Sequence, residues 1–143
     1  RGSGNSVQPS DVWHMGSCSK AMTATLAAVL IERGEFPGYD FTVAQTKEAG
    51  KGWYSAGFDF DSSFDNVTLE QLLTHTAGVP SAGDAWSMAW DMSTRDDWGD
   101  ITPMMEQRAK YLQAVFAQGC TGTGTYSYSN EGYTMAAHML EIY

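Results

Sequence analysis

From Ala21 to Ile31 the chain carries no charged side chain, and this run constrains the fold more than any other feature. Met22, Leu26, Val29 and Leu30 recur at helical spacing, while Ala21, Ala24, Ala27 and Ala28 keep the remaining surface narrow. A helix is expected from about Ser17 to Arg33, with Gly34 placed to end it in the left-handed conformation. The run is too short to span a bilayer and contains Thr23 and Thr25, so no membrane span is expected. A helix with no charge between Lys20 and Glu32 should be enclosed by other elements, and Lys20 at its head then needs a partner.

The remainder of the chain has the signals of a mainly α, single-domain protein. Residues 35–66 mix glycine, aromatic and acidic side chains and read as a long connection, with a short strand or turn around Trp53 to Phe60. Thr68 and Gln71 make a capping box for a second helix whose apolar stripe is Leu69, Leu72 and Leu73, and Gly78 and Pro80 are placed to stop it. A loop over residues 81–100 carries Trp86, Trp90 and Trp98 among five aspartates; these rings either line a cleft or form a satellite cluster. Thr102-Pro103 opens a third helix with Tyr111, Leu112, Val115 and Phe116 inward and Gly119 at its end. A glycine-rich turn leads to Tyr128-Ser129-Asn130 and a last helix from about Glu131, with Met135, Met139 and Leu140 on one side.

A formal charge of -9 with no basic patch argues against nucleic acid or an anionic membrane as partner. Cys18 and Cys120 make neither a disulfide framework nor a metal site by number or spacing, and free thiols are expected. Asp59, Asp61, Ser63, Asp65 and Glu70 imitate several offsets of a calcium loop, but Phe64 stands at the turn position that needs glycine, and no cofactor or metal is expected. The Arg-Gly-Ser-Gly start has no apolar leader segment, which leaves localisation open.

The chemistry-bearing residues are Ser17 and Lys20, one helical turn apart, and Tyr128 and Asn130. A serine hydroxyl is a weak nucleophile until a neighbour takes its proton, and a lysine relieved of its proton can serve as that base. The helix start adds partial positive charge and a Ser17 N–H where an oxyanion would develop. Taken alone, Ser17-x-x-Lys20 is as well explained by helix capping. His75-Thr76-Ala77-Gly78 offers a second candidate base, but the preferred reading is a helix end at which His75 and Thr76 satisfy backbone groups. Cys18 lacks a histidine in any matching motif, which disfavours a thiol enzyme, and Ser19 is expected to face away and cap or pack.

Three stretches, WHMGSCSKAMTATLAAVLIERG, VTLEQLLTHTAGVP and GTYSYSNEGYTMAAHMLE, occur in this order and resemble the serine β-lactamase and penicillin-binding-protein superfamily. The resemblance is to the branch of class C β-lactamases, D-alanyl-D-alanine carboxypeptidases and esterases. It implies the helical region of an α/β fold with most of the antiparallel sheet missing. It also implies Ser17 as nucleophile, Lys20 and Tyr128 as shared base and acid, and Asn130 as the group that orients Lys20 and substrate. The implied substrate is a small acyl compound: an amide, a β-lactam or an ester. Sixteen residues precede Ser17 and thirteen follow Asn130, and the family's third motif, Lys or His, then Thr or Ser, then Gly, is absent. Helices that normally cover a sheet should then expose apolar surface, so a homodimer or another covering partner is expected. The competing expectation is a non-catalytic helical interaction module that retains these residues as remnants.

Overall fold

The computed structural model describes residues 6–49, 61–80, 108, 111–113 and 115–143. Among the described residues the bounded helices are, in order, α1 (Cys18–Glu32), α2 (Val43–Ala49), α3 (Leu69–Leu73) and α4 (Asn130–Ile142), with a 3₁₀ turn at Ser62–Phe64 before α3. Residues 111–113 and 115–116 are also helical. Among the described residues there is no strand, only an isolated antiparallel bridge between Thr42 and Thr68. The expected strand or turn at Trp53 to Phe60, the tryptophan-bearing loop and the Thr102-Pro103 helix start lie outside the described residues.

The last helix is the hub. α1, α2 and α3 all pack on α4, whose Met135, Ala136, His138 and Met139 are fully buried. Phe36, Phe64, Leu69, Leu72, Leu112 and Phe116 complete the core. Phe64 meets Phe116 edge-on at 4.6 Å, and Phe36, Phe41 and Tyr143 form a triangle of edge contacts at 5.1 to 5.4 Å. Such pairs add to area burial because the positive ring edge meets a negative face.

The first helix ends as its sequence predicts: Gly34 takes φ 70° and donates to the Ile31 carbonyl, while Glu35 N–H reaches Leu30. Its environment differs from expectation. Only Ala27 is fully buried, and Met22 and Leu26 are 61% and 50% exposed, so the helix is enclosed on one side alone. Val12, Trp13 and Met15, in the segment before it, are exposed as well.

α2 falls inside the stretch read as connection. Thr42 Oγ1 accepts the Gln45 N–H at 3.2 Å while Gln45 Oε1 accepts the Thr42 N–H at 2.9 Å. The same Thr-x-x-Gln box opens α3, with Thr68 and Gln71 at 3.2 and 3.0 Å. The two boxes face each other across the Thr42–Thr68 bridge, where Val43 donates to Val67 and Leu69 to Phe41. α3 stops earlier than Gly78 and Pro80 imply. It ends at Leu73 because His75, not a glycine, adopts the left-handed conformation, at φ 62°. No described helix is long and apolar enough to cross a membrane.

Candidate active site

Ser17 stands at the N-cap position of α1, yet its hydroxyl caps nothing. The preceding turn supplies the cap instead: Gly16 at φ 53° lets the Cys18 and Ser19 N–H groups bond back to the Met15 and Gly16 carbonyls, and Ser19 Oγ also donates to Gly16. The Ser17 hydroxyl is thereby released to meet Tyr128 OH at 2.7 Å. One turn along, Lys20 Nζ donates to Asn130 Oδ1 at 2.6 Å and to Ser17 Oγ at 3.3 Å. It lies 4.8 Å from the centre of the Tyr128 ring and 5.7 Å from that of Tyr133.

All four residues singled out from sequence, Ser17, Lys20, Tyr128 and Asn130, thus meet in one hydrogen-bonded group, although Ser17 and Tyr128 are 111 positions apart. Lys20 has the partner its apolar helix demanded. Ser17 and Tyr128 are exposed, while Lys20 and Asn130 are half-buried, so the group opens to solvent on one side. Ser17 Oγ has two lone pairs, so it can accept from both Lys20 and the phenol or donate its own proton to the phenol oxygen. Lys20 and the Ser17 hydroxyl together hold the Tyr128 phenol below its ordinary pKa, which favours donation from the serine to the phenol oxygen.

Two further sets of contacts fix Tyr128 and Asn130. First, Ser129 caps α4 by accepting the Gly132 N–H at 2.9 Å and donates to buried Glu131 at 3.0 Å, whose other oxygen accepts Tyr111 OH at 3.3 Å. Burial, the Glu131 charge and this hydrogen bond push the Tyr111 phenol well above its ordinary pKa, so it stays a donor. Second, the segment after Gly119 is strapped along residues 75–78. Thr121 N–H and Oγ1 both donate to the Gly78 carbonyl at 2.9 Å, Gly124 N–H to Thr76 at 2.7 Å, and Ser127 N–H to His75 at 2.8 Å. Gly78, at φ 67°, has no room for a side chain, because a Cβ there would lie 1.9 Å from the Gly122 carbonyl oxygen.

His75 completes the strap. Its Nδ1 accepts the N–H of Ser129, the residue between Tyr128 and Asn130, at 3.1 Å. Its ring lies 4.5 Å from Tyr128, 5.0 Å from Tyr133 and 5.8 Å from Tyr126. The His75–Gly78 stretch is a helix end serving backbone groups, as the sequence suggests, but it also abuts the site, which sequence spacing does not reveal.

The remaining candidates separate from the site. Cys18 is exposed and Cys120 half-buried, both as free thiols, and Cys120 Sγ donates to the Ala77 carbonyl at 3.2 Å. Asp61 accepts the Ser63 N–H, and Asp65 pairs with Lys47 at 2.6 Å, so both carboxylates have structural roles; Asp59 lies outside the described residues. No group of three metal-ligating side chains occurs among the described residues.

The start of α1 and the segment leading into α4 thus bring a serine, a lysine one turn on and a distant tyrosine into one hydrogen-bonded group. The chain belongs to the beta-lactamase family, which it matches over residues 1–142. Penicillin-binding protein 4 of Amycolatopsis lactamdurans is 29% identical over 144 residues, a match covering 99% of this chain and 32% of that protein. The chain therefore spans about a third of the length of that curated relative. No solved structure matches it.

Proposed function

We propose that residues 1–143 form one partial domain of a serine hydrolase and that Ser17 is its acylated nucleophile. The observation that carries this reading is the 2.7 Å contact between Ser17 Oγ and Tyr128 OH, with Lys20 on the serine from the other side. Tyr128, held toward its phenolate by Lys20, takes the serine proton as Oγ bonds to the substrate carbonyl carbon. The tetrahedral oxyanion faces the start of α1, and the Ser17 N–H is one donor to it. The proton then passes from Tyr128 to the leaving amine or alkoxide, the carbonyl re-forms, and an ester on Ser17 remains. Water hydrolyses that ester, with the same pair acting in reverse. Asn130 holds Lys20 on the serine and has an amide N–H₂ left for the substrate.

The substrate class is an amide, β-lactam or ester, and the name of the Amycolatopsis relative supports a penicillin-like acyl donor. Carboxypeptidase and esterase activity remain readings of the same acyl-enzyme chemistry. Intact-mass measurement after incubation with a fluorophosphonate or a labelled penicillin tests it. An adduct on Ser17 is expected, absent in Ser17→Ala and reduced in Lys20→Ala. No adduct from any activated acyl donor overturns the reading.

The exposure of the apolar side chains Val12, Trp13, Met15, Met22 and Leu26 favours a second role, that of a helical module docked on a covering partner or a second copy. Sedimentation as a strictly monomeric species that binds no apolar dye rejects it.

A further inference from the structure

We infer that His75 is a positioning residue for Tyr128 and Asn130, that it works only as the neutral imidazole, and that its protonation slows acylation of Ser17. This rests on the acyl-transfer reading above. The geometry that points to it is the hydrogen bond from the Ser129 N–H to His75 Nδ1 at 3.1 Å. A nitrogen that accepts a backbone N–H carries no proton of its own, so the ring proton sits on Nε2. A protonated ring would set N–H against N–H at the amide of Ser129, the residue between the two site residues.

The imidazole also stacks on the catalytic phenol, tilted by 35° at 4.5 Å. Moving the ring therefore moves both ends of the Tyr128-Ser129-Asn130 segment. The backbone adds to this coupling, because the His75 carbonyl holds Ser127 while its side chain holds Ser129. One residue thus grips the segment on both sides of Tyr128.

Among the described residues the titratable groups facing the ring are Lys20 from α1, Tyr126 and Tyr128 from the strapped segment, and Tyr133 from α4. None of these is a carboxylate that would favour an imidazolium. Burial, and then the Lys20 charge, hold the His75 pKa below its ordinary value. The neutral form accordingly prevails at neutral pH, and protonation takes hold on the acid side.

The test compares wild type, His75→Asn and His75→Leu in the rate of fluorophosphonate labelling of Ser17 between pH 4.5 and 8. Asparagine tolerates a positive φ and its Oδ1 accepts a hydrogen bond, but it does not titrate. Wild type should lose rate through one protonation with a midpoint below pH 6.5. His75→Leu should label about tenfold more slowly even at pH 7.5, as expected for one lost hydrogen bond at a positioned group. His75→Asn should recover most of that loss and lack the acid limb. In the wild type, the Ser129 amide resonance should shift in step with the imidazole titration. An acid limb unchanged in His75→Asn, or a Ser129 amide indifferent to the imidazole, overturns the role of His75 alone. Absence of labelling in all three proteins at every pH overturns the acyl-transfer reading and this role with it.

Discussion

Gly78 and Gly34 adopt nearly the same backbone conformation, φ 67° and 70°, in opposite surroundings, and the pair isolates what the strap contributes. A Cβ on Gly34 meets nothing within 4 Å, whereas one on Gly78 falls 1.9 Å from the Gly122 oxygen and 2.6 Å from its carbonyl carbon. The obstacle is backbone, which no rotamer change removes. Gly34→Ala should cost about 1–2 kcal/mol, the penalty of a left-handed conformation for an L-residue. Gly78→Ala carries the same penalty and must also displace Gly122, adding about 1–3 kcal/mol by analogy with overpacked cores. Both substitutions restrict the unfolded chain equally, so that effect cancels between them. Urea denaturation followed by tryptophan fluorescence measures each against wild type. Because the strap leaves no room at Gly78, Gly78→Ala should be the less stable variant by at least about 1 kcal/mol, which for a domain with ~5–15 kcal/mol of stability is a large shift in midpoint. Equal midpoints for the two variants would refute it.

His138 and the paired caps give further expectations. His138 is fully buried, and burial followed by the Arg108 charge lowers its pKa to about 4. The unfolded chain therefore binds a proton that the folded one refuses between pH 6.5 and about 4, so stability falls as pH drops through that window, by up to about 3 kcal/mol. In His138→Met this part of the slope of unfolding free energy against pH should disappear; a slope identical to wild type counts against it. Thr42→Ala and Thr68→Ala should each cost about 1 kcal/mol by thermal or urea melting, as lost N-caps do. Because the two caps touch across one bridge, the double variant should depart from additivity by more than about 0.5 kcal/mol, and strict additivity would mean the boxes act independently.

The site was more legible than the frame that carries it. Ser17 and Lys20 could be placed on one helix face by spacing alone, and the helix ends at Gly34 and Gly119 follow from glycine's access to positive φ. That Tyr128 and Asn130 complete the group came from motif resemblance, since no local pattern links positions 111 apart. α2 carries a local signal, since Thr42-x-x-Gln45 repeats the box at Thr68-x-x-Gln71, but the seven-residue helix lacks the long apolar stripe that marks a helix in sequence. That His75 abuts the site was hidden for a different reason. A histidine at φ 62° is held there by tertiary contacts with Ser127, Ser129 and three tyrosines, none of which is encoded nearby in the chain. The enclosure expected of α1 failed because a lack of charge shows that a helix prefers cover without naming the element that provides it.

The facing caps at Thr42 and Thr68 also bear on how this part of the molecule forms. α2 and α3 have seven and five residues, below the length at which an isolated helix holds together in water. Neither can serve as a seed for the other. The helices, the bridge between the threonines that cap them and the core contacts of Val43 and Leu69 must arise as one cooperative unit, and local opening at either cap releases both helices at once.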